Sequence, residues 1–333
     1  MVVRAKITGL GSYLPKRVLS NADLEKMVDT SDEWIVSRTG MKERRIAGKE
    51  ESTSSMGYMA AVKALDRSSV LPESIDLIIV ATVTPDYGFP STACLIQSRL
   101  GASRAVAVDI QAACTGMLYA LSSAKAYVEV GMYDTVLVVA SEKLSSIVDY
   151  TDRNTCILFG DGASACVVSG KREGEGLAIN RISLGADGIH SDLLILPGGG
   201  STFPATEESV KNRLHYLRME GKEIFKQAVR RMESAIEDCL RGTGSERGRI
   251  DRLVPHQANI RIIEALARRL GIGMDRVFVN IGKYGNTSAS SVGIALDELM
   301  EEGSVRSGDH IVLCAFGAGL TWGAATMSYE VED

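Results

Sequence analysis

Short apolar runs alternate with amphipathic stretches along the sequence, and this alternation restricts the fold more than any other feature. The runs are continuous and rich in β-branched residues, as in strands that are buried on both faces. They are Ile75–Val80, Val106–Ile110, Val136–Ala140, Ala163–Val168, Leu253–Val254, Val277–Val279 and Ile311–Ala315. The predicted helices between them are Ser55–Leu65, Gly116–Val130, Lys222–Leu240, Ile260–Leu270 and Val292–Glu301. Strands that alternate with helices predict an α/β fold with mostly parallel pairing.

The two halves of the sequence resemble each other. A shift of 175 residues aligns Ile75-Asp76 with Ile250-Asp251. After a small further shift, Phe159-Gly-Asp-Gly matches Phe316-Gly-Ala-Gly, and each match leads into an apolar strand. The common order of such matches indicates an internal duplication.

The charged, glycine-containing stretch Lys171–Gly176 is the natural boundary between these halves. We therefore predict two related α/β units, residues 1–172 and residues 173–333. The first would carry a nucleophilic cysteine and the second a histidine and an asparagine.

Composition and charge exclude several classes of protein. Hydrophobic residues make up 45% and charged residues 24% of the 333 residues, which is typical of globular proteins. The net charge of −5 argues against a bulk nucleic-acid binder. No apolar run reaches the ~18 residues that span a bilayer, and the N-terminus has no signal-peptide pattern. Six scattered cysteines without a Cys-x-x-Cys pair predict reduced thiols and no metal site. We therefore expect a cytoplasmic enzyme without nucleic-acid or membrane partners.

Cys114 is the strongest candidate nucleophile. It follows the predicted strand Val106–Ile110 and precedes the predicted helix Gly116–Val130. The unpaired N–H groups and the positive dipole end of a helix N-terminus favour a thiolate. The alternative interpretation, a buried structural thiol, suits the other cysteines better; they are Cys94, Cys156, Cys166, Cys239 and Cys314.

His256 is the candidate partner of this thiol. It ends the predicted strand that contains Leu253–Val254, and α/β sheets carry their sites at the carboxyl ends of strands. The alternative is a packed core histidine. The other three histidines lie in polar, turn-like surroundings; they are His190, His215 and His310.

Two further loops complete the candidate site. The duplication superposes Tyr284–Ser290 on the Cys114 loop, so Asn286 is expected beside Cys114 as an amide donor. An ordinary turn or N-cap role is the alternative for this asparagine. The glycine-rich turn Gly317–Gly319 offers backbone N–H groups for an oxyanion hole.

Taken together and in order, several motifs resemble the β-ketoacyl-acyl-carrier-protein synthase III family. They are Ser31-Asp-Glu-Trp34, Ala113-Cys114-Thr-Gly, Phe159-Gly-Asp-Gly162, Val254-Pro-His256-Gln-Ala-Asn259, Gly285-Asn286-Thr-Ser-Ala and Phe316-Gly-Ala-Gly-Leu-Thr-Trp-Gly323. The resemblance runs from about residue 3 to residue 329. It implies a thiolase-like fold of two pseudo-duplicated α/β halves in a layered αβαβα arrangement, and a homodimer.

The resemblance implies the initiating condensing enzyme of type II fatty acid synthesis. Cys114 would take an acyl group, acetyl in the expected case, from acyl-CoA. Condensation with malonyl-acyl carrier protein would release CO2 and give 3-oxoacyl-acyl carrier protein. His256 and Asn286 would stabilise the enolate oxygen, and the N–H groups of Cys114 and Ala318 the other oxyanion. Ala318 replaces a glycine found in many members, and no cofactor is expected because acyl-CoA is a substrate.

The resemblance also implies binding residues. Those for CoA are Trp34, Arg38, Arg153 and Asn259. Those for the acyl pocket are Leu158, Phe159, Phe316 and, contributed across the dimer, Phe89. Those for docking the acidic carrier protein are Lys226, Arg261, Arg268 and Arg269. Simpler interpretations exist for several of them, as solvated surface charges or packed core rings.

Three other functions are open from the sequence. Relatives with the same Cys-His-Asn set perform other condensations or acyl transfers in secondary metabolism. A non-catalytic acyl-CoA-binding paralogue is a second alternative, against which the intact Cys114, His256 and Asn286 argue. A cysteine hydrolase is the third, and it would need no malonyl partner.

Overall fold

The computed structural model describes residues 3–170, 174–243 and 249–331. Its strands are β1 (Lys6–Tyr13), β2 (Arg17–Ser20), β3 (Glu43–Ile46), β4 (Leu77–Ala81), β5 (Val106–Ile110), β6 (Thr135–Glu142), β7 (Gly162–Ser169), β8 (Gly176–Ala186), β9 (Leu194–Ile195), β10 (Arg218–Met219), β11 (Arg252–Pro255), β12 (His310–Gly317) and β13 (Thr321–Glu330). Its helices are α1 (Asn21–Leu24), α2 (Asp32–Thr39), α3 (Thr53–Ser68), α4 (Thr92–Leu100), α5 (Gly116–Glu129), α6 (Glu207–Lys211), α7 (Gly221–Gly242), α8 (Ile260–Leu270), α9 (Ile281–Tyr284) and α10 (Ser290–Glu301). The predicted boundary between the halves, at residues 172 and 173, lies outside the described residues.

Most predicted elements are present with small shifts at their ends. The predicted helix Ile260–Leu270 and the predicted strand Val106–Ile110 have the bounds of α8 and β5. The Asn259 side chain begins α8 by accepting a hydrogen bond from the Arg261 N–H at 2.9 Å. Gly271, in the left-handed region at φ 70°, ends this helix. Local capping chemistry therefore sets the helix that follows His256.

Among the described residues, nine strands form one sheet in the order β11-β12-β13-β8-β1-β7-β6-β4-β5. β4 is parallel to β5 and β6, and β11 is parallel to β12. The other neighbouring pairs in this sheet are antiparallel. The prediction of mostly parallel pairing is therefore wrong. Connections such as the turn from β12 to β13 are too short for the crossover that a parallel neighbour requires.

The two halves contain the same order of main elements. In the first half the order is β1, α3, β4, α4, β5, α5, β6, β7, and in the second it is β8, α7, β11, α8, α10, β12, β13. The predicted strand Val277–Val279 would be the counterpart of β5, but it is wrong as a strand. Only an isolated parallel bridge joins Val277 to Leu253. α5 and α10 nevertheless occupy equivalent positions, and so do the loops that precede them.

Three buried clusters place the helices in layers. α5 and α10 share one cluster with both halves of the sheet, including Met117 on α5, Leu296 on α10, Ile79 on β4 and Leu313 on β12. α3 and α4 cover the opposite face of β4, β6 and β7. α7 and α8 cover the opposite face of β11 and β12. The order of layers is therefore the predicted αβαβα arrangement.

β5 lies at one edge of the sheet and is partly exposed. Val106 and Val108 are 51% and 42% exposed, so the prediction that this strand is buried on both faces is wrong for a single chain.

In the described parts of the chain, no helix has both the length and the apolar character needed to cross a bilayer.

Candidate active site

Cys114, His256 and Asn286 line one cavity of about 130 Å³. Cys114 lies in a single 3-10 turn between β5 and α5, His256 directly follows β11, and Asn286 lies between α9 and α10. All three residues are buried, with exposed fractions of 6%, 4% and 7%. The fold therefore brings together the three residues predicted to be catalytic.

The Gly317–Gly319 turn lies directly against the Cys114 backbone. A Cβ atom at Gly317 would lie 2.7 Å from the Cys114 backbone nitrogen, so this contact requires glycine. The Thr321 hydroxyl lies 3.0 Å from the carbonyl oxygens of both Ala112 and Ala318. Thr321 thus ties together the two segments whose N–H groups are predicted to form the oxyanion hole.

Burial controls the ionisation of the Cys114 thiol. Burial and, to a smaller degree, the nearby Glu142 carboxylate raise the pKa of Cys114 to about 12, while a hydrogen bond with Ser288 acts in the opposite direction. The thiol is therefore protonated at neutral pH in the free protein. Desolvation outweighs the thiolate-favouring effect expected from the helix N-terminus. The proton must leave when the sulfur attacks a substrate.

The His256 imidazole is neutral and its tautomer is fixed. Burial lowers the pKa of His256 to about 3. Ser291 Oγ lies 2.5 Å from Nδ1 of this ring, and it accepts a hydrogen bond from the Gln257 N–H at 3.4 Å. Among the described residues, Nδ1 is the acceptor within reach of the Ser291 hydroxyl, so we assign the hydroxyl hydrogen to Nδ1. Nε2 then keeps its own hydrogen and is available as a donor to a substrate.

Asn286 is oriented by its neighbours. Its Oδ1 accepts a hydrogen bond from the Ser288 N–H at 2.8 Å, which leaves the Nδ2 hydrogens available to a substrate. Its N–H donates to the Leu158 carbonyl at 2.9 Å, and its carbonyl accepts from the Gly160 N–H at 3.0 Å. A Cβ atom at Gly160 would lie 2.4 Å from the Tyr284 carbonyl oxygen. The glycines of the Phe159–Gly162 segment thus allow the close approach that holds Asn286.

The arrangement combines a thiol nucleophile with neutral hydrogen-bond donors. His256 Nε2–H and the Asn286 amide can stabilise a negative oxygen without changing their own protonation. Over the residues that the structure describes, no group of three or more His, Cys, Asp or Glu side chains could hold a metal ion. The expectation that the enzyme uses no metal or cofactor stays a prediction.

Sequence reasoning missed four polar residues that support the site, Gln257, Ser288, Ser291 and Glu142. The Gln257 amide oxygen accepts hydrogen bonds from the N–H groups of residues 280 and 281, at 3.0 and 3.2 Å. It thus joins the His256 loop to the segment that leads to Asn286. Gln257 and Ser288 lie within the quoted motifs and Ser291 lies two residues after one of them. Their proximity to the predicted catalytic residues could have identified them. Glu142 has no such local signal.

A second cavity, of about 650 Å³, adjoins Cys114. Aliphatic side chains and glycines line much of it; they include Leu144, Ile147, Leu217 and residues 198–200. Of the residues predicted for the acyl pocket, Phe159 lines both cavities, whereas Leu158 and Phe316 line only the smaller one. Phe89 lines neither cavity and is 89% exposed.

Three of the residues predicted to bind CoA form one stack. The guanidinium groups of Arg38 and Arg153 lie 5.1 and 5.0 Å from the centre of the Trp34 ring. Arg153 also donates a hydrogen bond to the Asp29 carbonyl at 3.1 Å. Asn259, the fourth, lines the smaller cavity in addition to capping α8.

The residues predicted for carrier-protein docking are exposed on two neighbouring helices. Lys226 lies on α7, whereas Arg261, Arg268 and Arg269 lie on α8. Lys226 pairs with a glutamate three residues earlier at 3.3 Å, and Arg269 pairs with Glu233 of α7 at 2.5 Å. Within residues 3–170, 174–243 and 249–331, neither Arg261 nor Arg268 forms an ion pair.

Comparisons with known proteins agree on one family. Profiles described as 3-Oxoacyl-[acyl-carrier-protein (ACP)] synthase III and its C terminal match residues 108–188 and 240–329. Beta-ketoacyl-[acyl-carrier-protein] synthase III proteins of Chlamydia pneumoniae and Chlamydia muridarum are 58% and 57% identical, over 97% and 98% of this chain and 96% and 99% of theirs.

A solved structure agrees with these sequences. The crystal structure of 3-oxoacyl-[acyl-carrier-protein] synthase III from Aquifex aeolicus VF5 is 49% identical, covers 98% of this chain and 100% of its own, and has a TM-score of 0.90. This match confirms the predicted fold class. Because relatives more than half identical extend over nearly the whole chain, the protein belongs to the β-ketoacyl-[acyl-carrier-protein] synthase III family.

Proposed function

We propose that acyl-CoA acylates Cys114 and that the acyl group is then condensed with malonyl-acyl carrier protein, as the first condensation of type II fatty acid synthesis. Membership of the family makes the protein a condensing acyltransferase. One observation carries the roles of its residues: a buried thiol, a neutral imidazole and a primary amide meet at one cavity.

Each of these groups has one task. The Cys114 sulfur attacks the thioester carbonyl, and the N–H groups of Cys114 and Ala318 hold the oxyanion. After CoA leaves, malonyl-acyl carrier protein enters and loses CO2. His256 Nε2–H and Asn286 Nδ2–H donate to the enolate oxygen that forms. The carbanion attacks the acyl carbon, and the Cys114 thiolate leaves.

The pantetheine arm of CoA fits the smaller of the two cavities at Cys114. The cavity of about 130 Å³ has a mostly apolar lining, which suits the aliphatic parts of the pantetheine arm, and Asn259 provides an amide for the polar parts. The adenine stacks on the flat faces of Trp34 and the Arg153 guanidinium. These two groups lie 5.0 Å apart in the free protein, so Arg153 must move from the Trp34 ring to admit the base between them. Arg38, on the same helix as Trp34, binds the phosphates.

A homodimer would close the larger cavity. The exposed edge strand β5 and the 89% exposed ring of Phe89 suit an interface between two copies of the chain. Phe89 of the partner then supplies an aromatic floor that shortens the space for the primer, which favours acetyl. Sedimentation of wild type and of Phe89→Asp tests this: we expect a dimer and a weakened dimer. A wild-type monomer would contradict it.

The acidic carrier protein docks on α7 and α8. Arg261 and Arg268 have no ion-pair partner in the described parts of the chain, so their charge is available to acidic residues of the carrier. Lys226 and Arg269 contribute from the same pair of helices.

The reaction takes place in the cytoplasm, and the six unpaired cysteines suit this reducing compartment.

Intact-mass analysis tests the proposed function. Acetyl-CoA should add one acetyl group on the peptide that contains Cys114, and malonyl-acyl carrier protein should then remove it as 3-oxoacyl product. Cys114→Ala should abolish labelling, whereas the exposed Cys94 and the buried Cys156 should be replaceable by alanine. Release of free acid without the malonyl partner would indicate a hydrolase. Stable binding of acyl-CoA without any labelling would indicate a non-catalytic binding protein.

A further inference from the structure

Glu142 is a buried carboxyl that the proposed mechanism does not use. It is the last residue of β6 and is 0% exposed. It accepts hydrogen bonds from the hydroxyls of Thr82 at 3.2 Å and Thr84 at 2.7 Å, and from the Val83 N–H at 3.1 Å. In the described parts of the chain, no lysine, arginine or histidine forms an ion pair with it. Such a carboxyl is costly to bury when it is ionised.

The Ser288 hydroxyl connects this carboxyl to the nucleophile. It donates to Glu142 Oε1 at 3.2 Å and lies close enough to the Cys114 sulfur to lower the pKa of the thiol. Ser288 is held in this position by its own N–H, which donates to Asn286 Oδ1. Cys114 and Ser288 both line the cavity of about 650 Å³. A proton can therefore pass from the sulfur to the carboxyl through one hydroxyl.

The groups around Glu142 leave the thiol as its titratable neighbour. The segment after β4 presents two hydroxyls and an N–H, and the loop before α10 presents Ser288. Lys143, the next residue, turns away and donates to the carbonyl oxygens of Gly48 and Glu51 at 2.9 and 2.5 Å. Among the described residues, the titratable group that faces the carboxyl is therefore the Cys114 thiol.

We propose that Glu142 stores the Cys114 proton between the two half-reactions, with the Ser288 hydroxyl as the path. In acylation, the Cys114 sulfur forms a bond to the acyl carbon, and the bond from that carbon to the CoA sulfur breaks. The thiol proton passes to Ser288 Oγ while the Ser288 proton passes to Glu142, which becomes a neutral carboxylic acid. The departing CoA thiolate takes its proton from water.

The stored proton returns in condensation. The carbanion formed by loss of CO2 attacks the acyl carbon, and the bond from that carbon to Cys114 breaks. The departing thiolate takes a proton from Ser288, which takes one from Glu142. All three groups return to their starting states. One solvent proton is consumed per turnover. It protonates the CoA thiolate, and it balances the negative charge that is lost when the malonyl carboxylate leaves as neutral CO2.

The acidity of Glu142 suits this task. Burial raises the pKa of Glu142 to about 7, so its carboxyl can both accept and return a proton near neutral pH. The acyl group on Cys114 occupies the adjoining cavity and excludes water from it. This further desolvation holds the carboxyl neutral in the acyl-enzyme.

The inference rests on the proposed acylation of Cys114, and proton uptake tests it separately. The probe is acetyl-CoA in weakly buffered solution at about pH 8, with an indicator dye for protons and intact mass for acetylation. Wild type should take up one proton for each Cys114 acetylated. Glu142→Gln should take up none, because the thiol proton then goes directly to CoA.

Ser288→Ala provides a second variant that leaves the carboxyl in place. Its acetylation rate should fall about 10²-fold, the usual effect of losing a proton-transfer group, and should lose the wild-type inflection near pH 7. Ser290→Ala is the matched control, because this nearby hydroxyl donates to the Thr287 carbonyl at 2.9 Å. It should behave as wild type.

Two results would overturn the inference in different ways. If wild type is acetylated without proton uptake, or if Glu142→Gln takes up as much as wild type, Glu142 is not the store and the proposed function stands. If wild type is not acetylated at all, the proposed function fails and the inference fails with it.

Discussion

Ser291 Oγ lies 2.5 Å from Nδ1 of His256, and this contact determines which ring nitrogen keeps its hydrogen for the substrate. The other contact of this oxygen is with a backbone N–H, which cannot accept, so the imidazole is the acceptor for its single hydrogen among the described residues. A hydroxyl that lines neither cavity at Cys114 thereby fixes the donor that faces the reaction.

Removal of this hydroxyl should slow decarboxylation more than acylation. In Ser291→Ala the His256 ring is free to carry its hydrogen on either nitrogen, so the donor is present for only part of the time. We expect the rate of CO2 release from malonyl-acyl carrier protein to fall about 10-fold, less than the 10²–10³ caused by loss of a donor itself. Acetylation of Cys114, followed by mass, should change little. Equal losses in both half-reactions would show that Ser291 supports the fold and not the tautomer.

Removal of either donor should separate the half-reactions more sharply. His256→Ala and Asn286→Ala each remove one hydrogen bond to the enolate oxygen, so CO2 release should fall about 10²-fold or more. Some acetylation of Cys114 should persist, because the backbone oxyanion donors remain. Radiolabelled malonyl-acyl carrier protein and acetyl-CoA report the two steps. If both variants decarboxylate normally but resist acetylation, the assigned roles are reversed.

His256 should make the protein sensitive to acid. The pKa of His256 in the folded state, about 3, lies below the ordinary value of 6.5. Between these two pH values the histidine is protonated in the unfolded chain and neutral in the folded chain. The contribution of the neutral His256 to the free energy of unfolding is therefore fully present above about pH 6.5 and is lost as the pH falls toward 3. We expect the stability advantage of wild type over His256→Gln to shrink from pH 7 to pH 5. Urea unfolding at several pH values measures it, and a difference that is constant with pH would refute the prediction.

Docking should depend on Arg261. Arg261→Glu should raise the apparent KM for malonyl-acyl carrier protein strongly, and the salt dependence should be weaker than in wild type. Acetyl transfer from acetyl-CoA should change much less. The control is Arg306→Glu, an exposed charge reversal just before the amino end of β12, whereas the site lies near its carboxyl end. Impaired acetyl transfer with an unchanged KM for the carrier would assign Arg261 to the CoA phosphates.

Gly317 should tolerate no side chain. The Cβ atom of alanine would lie 2.7 Å from the Cys114 backbone nitrogen and would push the oxyanion turn away from the nucleophile. Gly317→Ala should therefore lower kcat for acetylation at least about 10²-fold. Gly188→Ala is the control, because a Cβ atom there meets nothing within 4 Å. Full activity of Gly317→Ala would mean that the turn is not part of the oxyanion hole.

The sequence predicted most of the buried strands and the long helices but not the mostly antiparallel pairing of the strands, and it did not predict β1. Gly9 and Gly11 interrupt the apolar pattern of this strand. Cβ atoms there would lie 2.3 and 2.4 Å from the carbonyl oxygens of Ala64 and Ala60 on α3. These glycines allow a helix to approach the strand closely, a requirement that becomes visible only when both elements are in place.

The site was predictable to the extent that its residues lie in distinctive motifs. Cys114, His256 and Asn286 could be identified in this way, whereas Glu142 could not, because its role depends on the loop that brings Ser288 above it. The sequence also could not predict that the pKa of Cys114 is raised and not lowered. Motif position indicates a helix dipole, but the extent of desolvation depends on packing from both halves.

The central layer has a consequence for how the enzyme is inactivated. The loops that carry Cys114 and Asn286 run directly into α5 and α10, whose residues belong to the largest buried cluster of the described chain. In many enzymes the active-site loops open independently of the core, but here the nucleophile and one donor are attached to the segments whose amides should exchange with solvent most slowly. We therefore expect the temperature dependence of activity loss and of global unfolding to coincide, with no inactive but folded state between them.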